Sequence, residues 1–430
     1  KKSHYACSAC GTVQDVLTTI KATGKTGPMA AYAVQGYAPK RDEAGKPYSG
    51  RFFAAYDATL ARQYDGAAAE WELRKEADLK EYWPRSLLSE GWKTHGWSIP
   101  EHGFTHYWAM FNPRQLLVHA QLLKAISTLG SYSIETREYV LGAFQQYLNF
   151  NNGFCHWNIQ RDCVAQLFAD NHFYPKNNVA ENAVFSSLGS GNWESCTRTI
   201  LEGAEWKANP FERVAVEQLK KIAPLSVTGI TTKSVTTFPG DPVSSGVVTQ
   251  GSSTELTHIS SNSIDLVITD PPFGDLMQYS ELSDFFYVWL TLYLQKHYPL
   301  IFAGQHSPKS LEAVSNPFRE PDDPDGFYKR LLTQCWAEAN RILKPGGILA
   351  FTFHHSEDEP WVAVLDSLFQ AGYYLEATYP IRSDEIKGES SSFGSQKIEY
   401  DIIHVCRKRT EEPKPVSWGR MRREVMADVR

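Results

Sequence analysis

Four consecutive residues, Asp270-Pro271-Pro272-Phe273, carry the most specific chemistry in the sequence. An exocyclic amine such as adenine N6 or cytosine N4 is a poor nucleophile, because its lone pair is delocalised into the ring. Two acceptors set against its hydrogens favour a tetrahedral nitrogen. A carboxylate supplies one of them. A backbone carbonyl on a proline rim supplies the other, since proline has no N–H and a fixed φ. An aromatic side chain just beyond can stack on the base, and the base must leave the duplex to reach such a pocket. Asp270, Pro271, Pro272 and Phe273 are therefore the catalytic candidates.

The elements around the tetrapeptide place it at a sheet mouth. Ser263 to Thr269 (SIDLVIT) reads as a buried strand by its β-branched content. Glu281–Leu294, Gly326–Leu343 and Trp361–Gln370 read as helices, the second stopped by Lys344-Pro345-Gly346-Gly347 and the third followed by Gly372. Val247–Thr249, Gly347–Phe353, Tyr373–Pro380 and Tyr400–Arg407 read as strands. Strands separated by helices imply an α/β fold with a parallel sheet. The last two strands have no clear helix between them, so an antiparallel edge is expected. In such sheets ligands bind beyond the C-terminal strand ends, where Asp270 sits.

The stretch SIDLVITDPPFGDLMQYSELSDFFYVWL resembles the catalytic segment of amino-group DNA methyltransferases. More narrowly, it resembles adenine-specific DNA methylases that carry a zinc ribbon. Phe111-Asn112-Pro113-Arg114-Gln115-Leu116, Leu188-Gly189-Ser190-Gly191-Asn192-Trp193 and Leu343-Lys344-Pro345-Gly346-Gly347 resemble further blocks of that family. The resemblance implies a Rossmann-like methyltransferase core, of which the C-terminal part is present, interrupted by a large, mostly helical insertion. It implies S-adenosyl-L-methionine as cofactor, touched by Asp270 and Phe273, and adenine N6 in DNA as acceptor. Cytosine N4, RNA or a protein amide are alternative acceptors for the same chemistry. A DNA-binding, methylase-like subunit without activity is an alternative of another class. Family members occur among phage-defence genes, which makes defence-system proteins expected partners. The family's cofactor glycine turn and ribose-binding acid are missing. Gly189 and Gly191, after Ala183-Val184-Phe185, are the nearest substitute, although a turn and helix start inside the insertion is the stronger reading. The first strands of the core are accordingly expected upstream of Lys1, in a preceding segment or a separate subunit.

Five regions follow: a zinc-ribbon remnant over 1–24, an insertion and target-recognition region over 25–225, a Ser/Thr/Gly/Pro-rich linker over 226–246, the catalytic core over 247–410, and a basic tail over 411–430. Cys7 and Cys10 have the C-x-x-C spacing of a zinc knuckle with Gly11 at the turn, giving two ligands of a structural zinc. Tyr279 is placed to wall a base pocket, and His354 to approach the base; His355 adjoins it. Glu281 and Asp284 read as first-turn acids complementing a helix dipole. Phe285, Phe286, Trp289 and Leu290 read as core. Arg114 is a phosphate candidate at the start of a helix.

The sequence has 430 residues, 42% of them hydrophobic, enough for large cores. Its net charge of -6 excludes a globally basic, histone-like mode of nucleic-acid binding. Contact with DNA must come from local patches, and the segment from Arg407 to Arg430 is one of them. Seven cysteines make no disulfide framework, so a reducing cytoplasm is the expected location. The longest apolar run, Phe285 to Leu294, is too short for a bilayer.

Overall fold

The computed structural model describes residues 4–23, 29–41, 47–89, 99–169, 173, 178–186, 189–209, 211–216, 221–226, 232–234, 246–355, 357–382, 400–411 and 414–428. Most of the 226–246 linker lies outside these residues. The chain divides into two compact units. Unit 1 holds Lys1–Gly229, Met277–Glu312 and Asn316–Pro321; unit 2 holds Ile230–Leu276, Ala313–Ser315 and Asp322–Arg430.

Unit 1 is built on helices α1 (Ala58–Arg74), α2 (Pro113–Thr128), α3 (Ile134–Phe150), α4 (Trp193–Ala208) and α5 (Tyr279–Leu294). Side chains mark where four of them begin. Asp57, Asn112, Ser133 and Asn192 each accept a hydrogen bond from a first-turn amide, and Asn112 forms a full capping box with Gln115. In α5 the buried residues Phe285, Val288, Trp289 and Tyr293 recur at helical spacing. They belong to the same core as Phe111, His119 and Phe144. The Trp289 ring lies 5.5 Å from Phe111, 5.7 Å from His119 and 5.9 Å from Phe144, all edge-to-face. A short hairpin, β1 (His4–Ala6) with β2 (Val13–Asp15), carries the C-x-x-C turn.

Unit 2 contains a four-stranded sheet: β3 (Ile264–Thr269), β4 (Leu343–Phe353), β5 (Tyr373–Arg382) and β6 (Tyr400–Lys408), in the order β3-β4-β6-β5. β3 and β4 run parallel, and β6 runs antiparallel to both β4 and β5. The expected antiparallel edge is present: β5 forms the edge and pairs antiparallel with β6, although β6, the strand that runs against the others, lies inside the sheet. Strand β6 pairs with β4 along one side and with β5 along the other. Helices α6 (Pro324–Ile342) and α7 (Asp358–Gln370) pack together, with Trp336 Nε1 donating to Ser367 Oγ at 3.1 Å. Asp323 caps α6 through the Gly326 amide, and Pro324 opens it.

α6 runs directly into β4, so Lys344-Pro345-Gly346-Gly347 is a bulge in the strand and not a separate turn. The register shifts between Ile264 and Leu266 at this point. Gly346 has φ 78, and a Cβ on Gly347 would stand 3.0 Å from the Asp265 carbonyl oxygen. Both positions therefore suit glycine. Leu349, Phe351 and Phe353 alternate into the core of this unit. The strand expected at Val247–Thr249 appears at Gly246–Val248 and pairs with Thr232–Ser234, outside the four-stranded sheet. β3 consequently has one paired edge among the described residues, and Leu266 and Ile268 are 49% and 74% exposed. No helix among the described residues is long and apolar enough to cross a membrane.

Candidate functional site

Asp270 follows the last residue of β3 and is exposed. Thr269 is in register with Phe351 on β4, so the next residue of β4 stands beside Asp270. That residue is Thr352, whose hydroxyl donates to Asp270 Oδ1. Among the described residues no donor reaches the second carboxylate oxygen. The prolines are held from the other side. The buried phenol of Tyr328, on α6, donates to the Pro272 carbonyl at 2.6 Å. Pro271 is buried, and no donor among the described residues reaches its carbonyl. Phe273 packs edge-on against Phe353 at 5.2 Å and at a tilt against His354 at 4.7 Å. Gly274 turns the chain at φ 66, and its carbonyl accepts from the Ser315 amide at 3.2 Å. The Ser315 hydroxyl in turn donates to Asp325 at 2.7 Å.

The two histidines differ in role. Phe353 pairs with Ile402, so extending the register puts His354 opposite Asp401. The His354 Nδ1 and Asp401 carboxylate form a close pair, both side chains mostly buried. His355 Nε2 lies near the turn after the motif: a Cβ on Gly274 would stand 3.9 Å from it. The Nδ1 of the same ring accepts from the Glu357 amide at 3.0 Å, which assigns the ring proton to Nε2. That Nε2 is buried with no acceptor among the described residues. Unit 2 thus gathers Asp270, Phe273, His354 and Asp401 with Thr352 and Tyr328, around a carboxylate with one open oxygen.

Tyr279 lies in unit 1, at the start of α5, and is 44% exposed. Glu281 and Asp284 are not surface acids of the helix dipole: both are buried. Asp284 Oδ1 accepts from the Ser307 amide at 2.8 Å and from the Ser307 hydroxyl, while Oδ2 meets Lys309 Nζ at 2.5 Å. Arg319 lies 3.4 Å from Glu281 and 2.7 Å from Glu312. Burial pushes the Glu281 carboxyl above the ordinary carboxylate range, against the pull of Arg319. The acids' cationic partners come from a following loop, so a local helix rule could not reveal the pairing. Arg114 is tied into a two-point pair with Glu181 at 2.9 and 3.0 Å, which accounts for it without phosphate.

The Cys7–Gly11 turn is a closed knuckle. The Gly11 amide donates to the Cys7 carbonyl at 2.8 Å, and Gly11 has φ 71. The Thr12 hydroxyl holds the Cys10 thiol below its ordinary range. Among the described residues, however, no group of three or more His, Cys, Asp or Glu is placed to hold a metal. Two thiols are half of a structural zinc's coordination, so these residues do not fit a complete zinc site. The Gly189–Gly191 turn does not fit a cofactor loop either. Residues 183–185 form no strand. A Cβ on Gly191 would collide with Phe150 at 2.2 Å, and Asn192 caps α4. The turn packs one helix against its neighbour.

Sequence reasoning missed Thr352, Tyr328 and Asp401. Thr352 could have been found by aligning the two parallel strand ends; Tyr328 and Asp401 carry no local signal. No protein-family model and no curated protein matches the chain. Among solved structures, two of a candidate DNA modification methylase from Thermus thermophilus are similar to part of it. The selenomethionine form has 17% identity and a TM-score of 0.22. The form complexed with S-adenosyl-L-methionine has 16% identity and a TM-score of 0.21. Each likeness covers 40% of this chain and 56% of the other, so the match spans little more than half of those proteins.

Proposed function

We propose that the chain belongs to a DNA methyltransferase acting on adenine N6, with unit 2 carrying the acceptor end of the reaction. The observation that supports this most is the state of Asp270: an exposed carboxylate at a parallel strand end, oriented by Thr352 through one oxygen and open at the other. Beside it, Tyr328 occupies the Pro272 carbonyl, and no donor among the described residues reaches that of Pro271. The amine hydrogens of a flipped base would be shared between Asp270 and Pro271, and the base would lie against Phe273. S-adenosyl-L-methionine supplies the methyl group when bound. No residue beyond Asp270 and Phe273 is assigned to it, and no step is derived through it. His354, oriented by Asp401 and packed on Phe273, is placed to contact the base edge. Tyr279 remains a second candidate for that contact. A phage-defence setting is an extension of the family resemblance.

Nucleoside analysis of DNA incubated with the full-length protein and S-adenosyl-L-methionine tests this reading. N6-methyladenine is expected. Methylcytosine as the product would move the acceptor to cytosine N4 and keep the same site chemistry.

A further inference from the structure

A cleft of about 560 Å³ opens in unit 1. Its lining includes Lys80, Trp83, Arg85, Leu87, His106 and Gln305, and no Asp or Glu among the described residues. In a chain of net charge -6 that is a local reversal of sign. The cations are presented in an ordered way. Trp83 is buried, its Nε1 donating to the Lys75 carbonyl at 3.0 Å. The Arg85 guanidinium lies 4.2 Å from the Trp83 ring centroid, a cation–π contact that helps hold its position. Glu76 pairs with Arg85 at 2.9 Å from the exposed side. Lys80 is exposed and forms no hydrogen bond or ion pair by its side chain among the described residues. The rest of the lining is aromatic and apolar: His106 packs 5.7 Å from the half-exposed Trp108, and Leu87 is exposed.

We propose that this cleft binds a DNA strand, Lys80 and Arg85 taking phosphodiester oxygens and the His106–Leu87 wall taking the face of an adjacent base. Fixed cations next to flat, partly apolar surface are what a single strand requires: charge for the backbone and a platform for stacking. The proposal rests on the DNA reading above and names where in unit 1 the substrate is held.

The test is binding of fluorescent single-stranded and duplex DNA to the full-length protein, followed across salt concentration. Two phosphate contacts are worth about tenfold in affinity between 50 and 200 mM salt. Lys80→Ala and Arg85→Ala should each lower the slope of log K against log salt by about one. The double reversal Lys80→Glu/Arg85→Glu should weaken binding by more than about tenfold. Lys344→Ala, which removes a half-buried lysine of unit 2 that is paired with Asp265, should leave affinity and slope unchanged. Both cleft positions are exposed, and an exposed Lys→Ala change is worth within about 0.5 kcal/mol of stability, so loss of fold does not confound the Lys80→Ala result. A double variant with wild-type affinity and slope overturns the cleft assignment while leaving the methyltransferase reading intact. Wild-type protein that binds no DNA at low salt overturns the DNA reading itself. A mononucleotide that competes as well as a strand overturns the strand assignment in favour of a free nucleotide.

Discussion

Asp270 and Asp284 lie a short stretch of chain apart, yet they sit in opposite environments. Asp284 is fully buried in unit 1, with both oxygens occupied by Ser307 and Lys309. Asp270 is exposed at the end of β3, with Thr352 on one oxygen and no donor on the other among the described residues. A buried carboxylate with a donor on each oxygen can hold a loop to a helix, but is closed to a substrate. One that is oriented and half-vacant can accept a hydrogen bond from a ligand at little cost. The same residue type thus serves architecture in one place and recognition in the other, and the number of unfilled acceptor positions separates them.

The comparison breaks most visibly on stability. Asp284→Ala strands Lys309, which is mostly buried, and should cost about 3–5 kcal/mol in chemical denaturation. Asp270→Ala should stay within about 0.5 kcal/mol of wild type. Equal losses in the two variants would erase the distinction.

A second test uses pH and the core around α5. His119 is fully buried, and burial lowers its imidazole to about 4 from an ordinary value of 6.5. Between those values the unfolded chain binds more protons than the folded one. Stability is therefore complete above the unfolded value and falls as pH drops toward 4, by about 3 kcal/mol in all. His119→Gln can keep a donor for the Asn151 carbonyl, which now lies 2.8 Å from His119 Nε2, and it does not titrate. Denaturation curves of that variant should lose most of the slope across this window.

Smaller effects belong to the site itself. Phe273→Ala removes the stacking surface and should weaken DNA base capture by about 1–3 kcal/mol, read as a higher KM or weaker binding of a substrate with an unpaired target base. Thr352→Val keeps the strand and deletes the hydroxyl that orients Asp270. A hydrogen bond to an exposed carboxylate lies at the low end of the about 1.5–3 kcal/mol expected for a charged partner, so kcat should fall about tenfold. A Thr352→Val enzyme of full activity would show that Asp270 needs no orienting partner.

Much of this arrangement is legible in the sequence, for identifiable reasons. The β-branched run Ile264–Thr269 and the apolar run over Glu281–Leu294 are local signals, and the corresponding strand and helix are found within two residues of their expected bounds; of the expected core residues Phe285 and Trp289 are buried, while Phe286 and Leu290 are half-buried. The position of Asp270 at a strand end follows from the same signal. Strand order does not: nothing local to Tyr400–Lys408 says that it enters between two strands. Burial of Glu281 and Asp284 is equally hidden, because it depends on Lys309, Glu312 and Arg319 returning to the helix. The sequence of β3 reads as a strand covered on both faces, but Leu266 and Ile268 are exposed where no neighbour pairs with its outer edge among the described residues.

The most direct measurement is transfer of labelled methyl groups from S-adenosyl-L-methionine to DNA by the full-length protein, wild type beside Asp270→Ala, with the modified nucleoside identified by mass spectrometry. The account predicts N6-methyladenine from the wild type and a rate lower by at least about a hundredfold from the variant, with both proteins equally stable. Full methyl transfer by Asp270→Ala, or label recovered on protein or RNA in place of DNA, would contradict it.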